Sequence, residues 1–176
     1  MELSLANSSV MEAYRTFIVK YDDPRLIQKS KNVEDHEFGL NLEITFQSMI
    51  QIMHQERGCG LAGVQIGDMR RILVASDRGN VFCMANPQIV KRSGETKVME
   101  GCLSFPGLQI AVPRSRFITV EYKNEQGITK TVEFKDFAAV VVQHEMDHLD
   151  GVTLRTHQKR IAEARSANCP RKKRKN

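Results

Sequence analysis

The sequence lacks the features of a membrane-bound or exported protein. No apolar run approaches the roughly 20 residues needed to cross a bilayer. The opening segment MELSLANSSVMEAYRTF has neither the basic start nor the long apolar core of a secretory signal. The four cysteines form no C-x-x-C pair, which favours free thiols or one metal ligand over disulfides: Cys59, Cys83, Cys102 and Cys169. These absences predict a cytoplasmic protein.

The body of the chain has almost no net charge, because the excess of positive charge lies in the last residues. The formal net charge is +5, and the segment RKKRK, residues 171–175, contributes five positive charges by itself. The body is therefore near neutral and does not have the charge of a sequence-specific nucleic-acid-binding domain. We expect residues 169–176 to be a disordered basic tail. The alternative is a tail that binds a phosphate-rich partner such as ribosomal RNA, since clustered Lys and Arg release counterions on binding.

The length and the hydrophobic pattern predict one α+β domain. A chain of 176 residues suits a single core, and we assign residues 1–168 to it, with 1–16 as an N-terminal extension. Apolar residues from Leu40 to Arg57 follow helical spacing, and Gly58 ends the helix. RRILVAS and NVFCMANPQIV are expected to be strands around the turn DRGN, and RFITVEYK and ITKTVEFK a hairpin around NEQG. Asp136 is expected to cap the last major helix, FAAVVVQHEMDHL.

Two histidines of that last helix indicate a metal site. His144 and His148 lie four residues apart in H-E-x-x-H, so their Cβ atoms would be about 5–6 Å apart on one helix face. Two imidazoles at this spacing can bind one metal ion, with Glu145 as a base toward bound water. The alternative is an amphipathic helix whose buried histidines find polar partners of their own.

The third ligand distinguishes between classes of metalloenzyme. In one class of zinc protease the third ligand is a histidine at the position of Leu154, and leucine cannot bind metal. Another class needs a downstream glutamate on a second helix, but the one available, Glu163, lies in a short, charged terminal segment. Neither class therefore fits at the third ligand. Upstream, EGCLSFPG places Cys102 beside Gly101, and a thiolate with two imidazoles would form a catalytic Cys-His₂ set with one open position. The alternative for Cys102 is a small buried hydrophobic residue.

A glycine-rich segment, GCGLAGVQIG, follows the first helix. Its glycines suggest tight turns and close approach to a ligand, but no G-K-[ST] follows, so it is not a phosphate loop. Gln65 would be able to aim its amide at a carbonyl oxygen. A plain loop is the alternative.

The three segments together resemble the peptide deformylases, whose motifs are G-x-G-x-A-A-x-Q, E-G-C-x-S and H-E-x-D-H. Here they are GCGLAGVQ, EGCLS and HEMDH, and the resemblance extends roughly from Ile18 to Gly151. It implies mixed or antiparallel sheets packed around a central helix bearing H-E-x-x-H. It also implies hydrolysis of the N-formyl group from the formylmethionine of nascent polypeptides, with release of formate, in a bacterial cell or from a phage gene.

The resemblance assigns roles to single residues. The implied metal is Fe(II), with zinc, nickel or cobalt able to substitute, and it would activate water toward the formyl carbon. Gln65 and the backbone N–H of Leu103 would stabilise the oxyanion, and Glu145 would pass a proton to the leaving amine. The implied metal ligands are Cys102, His144 and His148.

The resemblance also implies a substrate cleft. The backbones of Gly60 and Gly101 would pair with an extended peptide, and Glu100 would orient a neighbouring group. The alternative for Val140 and Val141 is that they belong to an ordinary core helix and line no pocket. The implied walls of the methionine pocket are Cys59, Phe137, Val140 and Val141.

Some positions depart from the family pattern. Gly63 replaces an alanine and would loosen the loop that carries Gln65. Gln109 lies where many members have a substrate-positioning arginine. Beyond Gly151 we expect at most a short helix before the tail, which would contact the ribosome by charge alone. Two other hypotheses remain: an inactive relative that binds metal or RNA, and a metalloprotease with an unfamiliar third ligand.

Overall fold

The computed structural model describes residues 18–167 and confirms an α+β fold. Five strands form one sheet: β1 (Gly60–Ala62), β2 (Ile72–Asp77), β3 (Asn80–Cys102), β4 (Phe105–Lys123) and β5 (Thr129–Lys135). The helices are α1 (Leu40–Gln55), α2 (Asp136–Leu149) and α3 (Leu154–Ala167), with short 3₁₀ helices at Pro24–Ile27, Asp35–Glu37 and Gly63–Ile66. None of the helices within these residues is both long and apolar enough to span a bilayer. The expected N-terminal extension and the basic tail lie outside the described residues.

The sheet is antiparallel throughout, and its strands lie side by side in chain order from β1 to β5. Strand β1 pairs with β2 on one side, and no strand within residues 18–167 pairs with its other edge. Strands β3 and β4 form a long ribbon that closes at Leu103 and Ser104, where Cys102 pairs with Phe105. This ribbon is longer than the hydrophobic pattern predicted, because the polar run KRSGETK, residues 91–97, is exposed over most of its length and shows no apolar alternation.

Strand β2 lies between the two main helices. Ile72 and Val74 belong to the apolar cluster that includes Phe46 of α1, whereas Leu73 and Ala75 belong to the cluster formed with α2. This division follows the alternation of side chains along a strand. The helix that carries H-E-x-x-H is thereby packed against the sheet beside the edge strand β1.

The start of α2 differs from the sequence prediction. Lys135, not Asp136, occupies the N-cap position, and no side chain caps the helix there. Asp136 is the first helical residue, with φ of +53°, and its carboxylate accepts a hydrogen bond from Nε of Arg116 at 2.7 Å. Strand β5 runs into the helix without connecting residues, so Asp136 makes the change of direction and cannot cap it.

Helix α3 is longer than the sequence analysis suggested, with 14 residues. Leu154 is its only buried residue, so the helix has no apolar stripe from which its length could be predicted. Two contacts near its start attach it to the domain. The guanidinium of Arg155 lies 4.8 Å from the ring centroid of Tyr21, and Nε2 of His157 lies 2.7 Å from Oδ2 of Asp147.

Candidate metal centre and substrate cleft

The structure brings the three predicted metal ligands together from two elements. Cys102 ends β3 at the tip of the β3–β4 ribbon, and His144 and His148 project from successive turns of α2. One donor atom from each residue lies within 4.8 Å of the other two. Sγ of Cys102 is 3.2 Å from Nε2 of His148. The strand register shifts between Glu100 and Cys102, an irregularity of the kind that re-aims side chains near active sites.

The chemistry of this group fits a metal ion. Nδ1 of His144 lies 2.9 Å from Oε2 of Glu100, which leaves Nε2 for a metal. Burial alone would lower the pKa of His144, but its contacts with Cys102 and Glu100 raise that pKa to about 10. Burial, and then the charge of His144, lower the pKa of His148 to about 3. The site thus stabilises a positive charge at His144, whose proton a bound cation would replace.

A buried network holds Glu100 against His144. The Arg114 guanidinium donates to Oε1 and Oε2 of Glu100 at 2.7 and 2.8 Å, and to Oδ2 of Asp147 at 2.5 Å. Burial would raise the pKa of Glu100, but the hydrogen bonds to Arg114 and His144 hold it below its ordinary value. Glu100 therefore stays ionised in the position from which it would orient a ligand imidazole.

Arg114 is a site residue for which the sequence predicted no role. Its side chain is only 6% exposed, which is rare for arginine unless it is paired. One feature of the sequence could have identified it. Arg114 lies in the strand IAVPRSRF at a position where the alternation of side chains points inward, which is unusual for arginine.

Gln65 is fixed with its amide nitrogen toward the metal centre. Its Oε1 accepts the backbone N–H of Ala62 at 2.8 Å, so Nε2 lies 3.2 Å from Oγ of Ser104 and 3.7 Å from Sγ of Cys102. Gly63 is closely packed, in contrast to the expected loosening. A methyl group there would lie 2.8 Å from Cγ1 of Ile72 and 2.9 Å from the carbonyl oxygen of Asp68.

Glu145 is buried next to the ligands, and that burial raises its pKa to about 7. Its Oε2 has no hydrogen-bond partner among the residues that the structure describes. A Cβ atom at Gly60 would lie 2.5 Å from Oε1, so the glycine makes room for this carboxyl group. A carboxyl group that titrates near neutral pH can both accept and return a proton.

A cleft of about 380 Å³ opens beside these groups. Its lining includes all the residues expected to bind substrate: Cys59, Gly60, Gly101, Phe137, Val140 and Val141. Gln65, Glu100, Leu103 and Glu145 also reach it, whereas His148 is buried behind it with 1% exposure. Gln109 is exposed and does not line the cleft. Four further lining residues had no predicted role in the site: Arg57, Gly58, Val98 and Met99.

The chain is similar to known proteins in both sequence and structure. Residues 16–164 match the family described as Polypeptide deformylase. The chain is 39% identical over 137 residues to the peptide deformylase of Dictyoglomus thermophilum, covering 78% of this chain and 88% of that protein. It is similar in structure to the peptide deformylase of Thermotoga maritima, with a TM-score of 0.77, 34% identity and coverage of 81% and 97%. It is also similar to the Met-Ala-Ser-bound class I type b peptide deformylase of Acinetobacter baumannii, with a TM-score of 0.75, 28% identity and coverage of 80% and 96%.

Proposed function

Since the chain belongs to the polypeptide deformylase family, we propose that it hydrolyses the N-formyl group of formylmethionine at the start of nascent polypeptides. The products are formate and a free amino terminus. One observation carries the proposal: Cys102, His144 and Glu145 all line one cleft, together with the amide of Gln65. This combination provides a metal site, a proton carrier and an oxyanion donor around a single reacting carbonyl.

The side chains of Cys102, His144 and His148 would hold the metal. We propose Fe(II), with zinc, nickel or cobalt as substitutes, because thiolate and imidazole ligands accept all of these ions. When bound, the ion supplies the activation of water for attack on the formyl carbon. Glu100 keeps the imidazole of His144 oriented through its 2.9 Å contact with Nδ1.

The substrate would bind as an extended strand. The edge of β1 that has no strand partner among the described residues offers the backbone of Gly60, and Gly101 offers a second backbone across the cleft. Main-chain hydrogen bonds from both can hold the peptide. The methionine side chain would pack against Val140 and Val141, with Phe137 at the rim. Phe137 is 59% exposed, and contact with substrate would cover part of this apolar surface.

Proton transfer is assigned to Glu145 and charge stabilisation to Gln65 and Leu103. Glu145 takes the proton of the attacking water on its buried carboxylate and delivers it to the leaving amine. The Nε2 group of Gln65 and the backbone N–H of Leu103 donate to the oxygen of the tetrahedral intermediate. The hydrogen bond from Ala62 to Oε1 of Gln65 prevents the amide from turning its oxygen toward that charge.

The direct test is formate release from formyl-Met-Ala-Ser by nickel-loaded protein, which avoids the oxidation expected of ferrous iron beside a thiolate. We expect formate and intact Met-Ala-Ser, with loss of activity on chelation and recovery when nickel is restored. Mass spectrometry separates this result from cleavage of a peptide bond, which would favour the metalloprotease. A metal-loaded protein that leaves both bonds intact would contradict the proposal.

The basic C-terminal residues are proposed to contact the ribosome. The five positive charges of residues 171–175 equal the net charge of the whole chain, and such clusters bind RNA phosphates with strong salt dependence. Replacing these five residues by serine at constant length is expected to weaken binding to ribosomes by about tenfold or more at low salt. Co-sedimentation measures this, and equal binding of the two proteins would contradict the contact. This partner and substrate favour a bacterial cytoplasmic location.

A further inference from the structure

Arg57 provides an uncompensated positive charge at the mouth of the cleft. Its side chain is exposed, lines the cleft beside Cys59, and has no hydrogen bond or ion pair with any residue in 18–167. The acidic groups of the cleft do not balance it, because Glu100 is paired with Arg114 and Glu145 is buried against the ligands. A bound peptide would therefore meet an available guanidinium as it leaves the cleft.

The backbone at Arg57 shows that the fold does not require arginine there. Two backbone hydrogen bonds close the end of helix α1. The N–H of Gly58 donates to the carbonyl oxygen of Met53 at 2.8 Å. The N–H of Arg57 donates to the carbonyl oxygen of His54 at 3.1 Å. In this type of helix end the left-handed residue is usually glycine, and Arg57 occupies it with φ of +55°. A Cβ atom makes that conformation unfavourable. The protein thus retains a long cationic side chain where glycine would be more stable.

A second groove extends the positive rim. It shares Cys59 and Phe137 with the cleft and is also lined by Arg78 and Lys135. It contains two carboxylates as well, but that of Asp136 is paired with Arg116, which lies outside the groove. The other, Asp77, lies 4.0 Å from Arg78. Counting Arg57, positive groups outnumber negative ones around the mouth.

We propose that Arg57 is a specificity-determining residue that favours formylated peptides with acidic side chains directly after the methionine. This inference rests on the proposed deformylase function. A peptide paired along β1 at Gly60 advances about 3.3 Å per residue, and Arg57 precedes Gly60 by three residues and lines the same cleft. Side chains that follow the methionine thus come within reach of the guanidinium. The positive rim would repel lysine at the same positions.

The test compares three peptide amides: formyl-Met-Glu-Glu-Ser, formyl-Met-Gln-Gln-Ser and formyl-Met-Lys-Lys-Ser. For the metal-loaded wild-type protein, kcat/KM should be about tenfold higher for the Glu peptide than for the Lys peptide at low salt. This ratio should fall as salt is added. Arg57→Gly should reduce the ratio, and Arg57→Glu should invert it.

Two controls separate charge recognition from other effects. Arg57→Gly is expected to melt at the same temperature as the wild type or higher, which excludes misfolding as the cause of a lost preference. Arg92→Glu makes the same charge change on an exposed residue of β3 outside the cleft and should keep the wild-type ratio. A wild-type ratio near one, or a ratio unchanged by both Arg57 variants, overturns the inference while formate release still supports the deformylase. Release from none of the peptides overturns both.

Discussion

The Glu145→Gln variant is expected to lose about 10³-fold in kcat for formate release while it still binds metal. Glutamine keeps the shape of the side chain but cannot accept and return a proton. Glu145 is buried, its pKa is raised to about 7, and it lies so close to Gly60 that a methyl group there would overlap it. No other carboxyl group that lines the cleft is free to replace it, because Glu100 is paired with Arg114.

The measurement combines steady-state formate release with metal content from elemental analysis. Glu133→Gln on β5 makes the same chemical change at an exposed position and should leave both values unchanged. If Glu145→Gln retained wild-type kcat, the assignment of proton transfer to Glu145 would be wrong. If neither protein released formate although both held metal, the inactive relative would be favoured.

The second large effect is expected on stability. Arg114→Met should lower the free energy of unfolding by about 3–5 kcal/mol, because it leaves Glu100 as a buried charge without its partner. The side chains of Arg114 and Glu100 are 6% and 4% exposed, so water cannot replace the lost hydrogen bonds. For a chain of this size, such a loss lowers the melting temperature by roughly 10 °C. Metal affinity should fall by about 10–100-fold, since Glu100 would no longer be held against His144.

Calorimetry and a competitive metal titration measure these two effects. Arg116→Met is the matched control, because Arg116 forms a 2.7 Å ion pair with Asp136 whose side chains are both more than half exposed. Such an exposed pair is worth about 0–1 kcal/mol. Combining Arg114→Met with Glu100→Gln should recover part of the lost stability. Equal losses from Arg114→Met and Arg116→Met would show that burial of the network contributes nothing.

Patterns that depend only on neighbouring residues could be predicted from the sequence. The apolar spacing of α1, the alternation of the RFITVEYK hairpin and the four-residue separation of His144 and His148 all follow from helix and strand geometry. Cys102 was identified through its motif and not through periodicity. Its assignment to the same site depended on the order of three motifs, since nothing local connects a strand end with a helix more than 40 residues away.

Other features exist only because the fold joins distant segments. The network through Arg114 needs β4, the end of β3 and α2 to meet, and no pattern within β4 reveals which partners a buried arginine will find. Asp136 did not become a cap because β5 leads straight into α2. In the sequence, Arg57 looks like the end of an ordinary amphipathic helix. Its charge lies at the mouth of the cleft only because the fold forms that cleft beside it. Local geometry determines the elements and the spacing within each, whereas burial and pairing depend on which elements pack together.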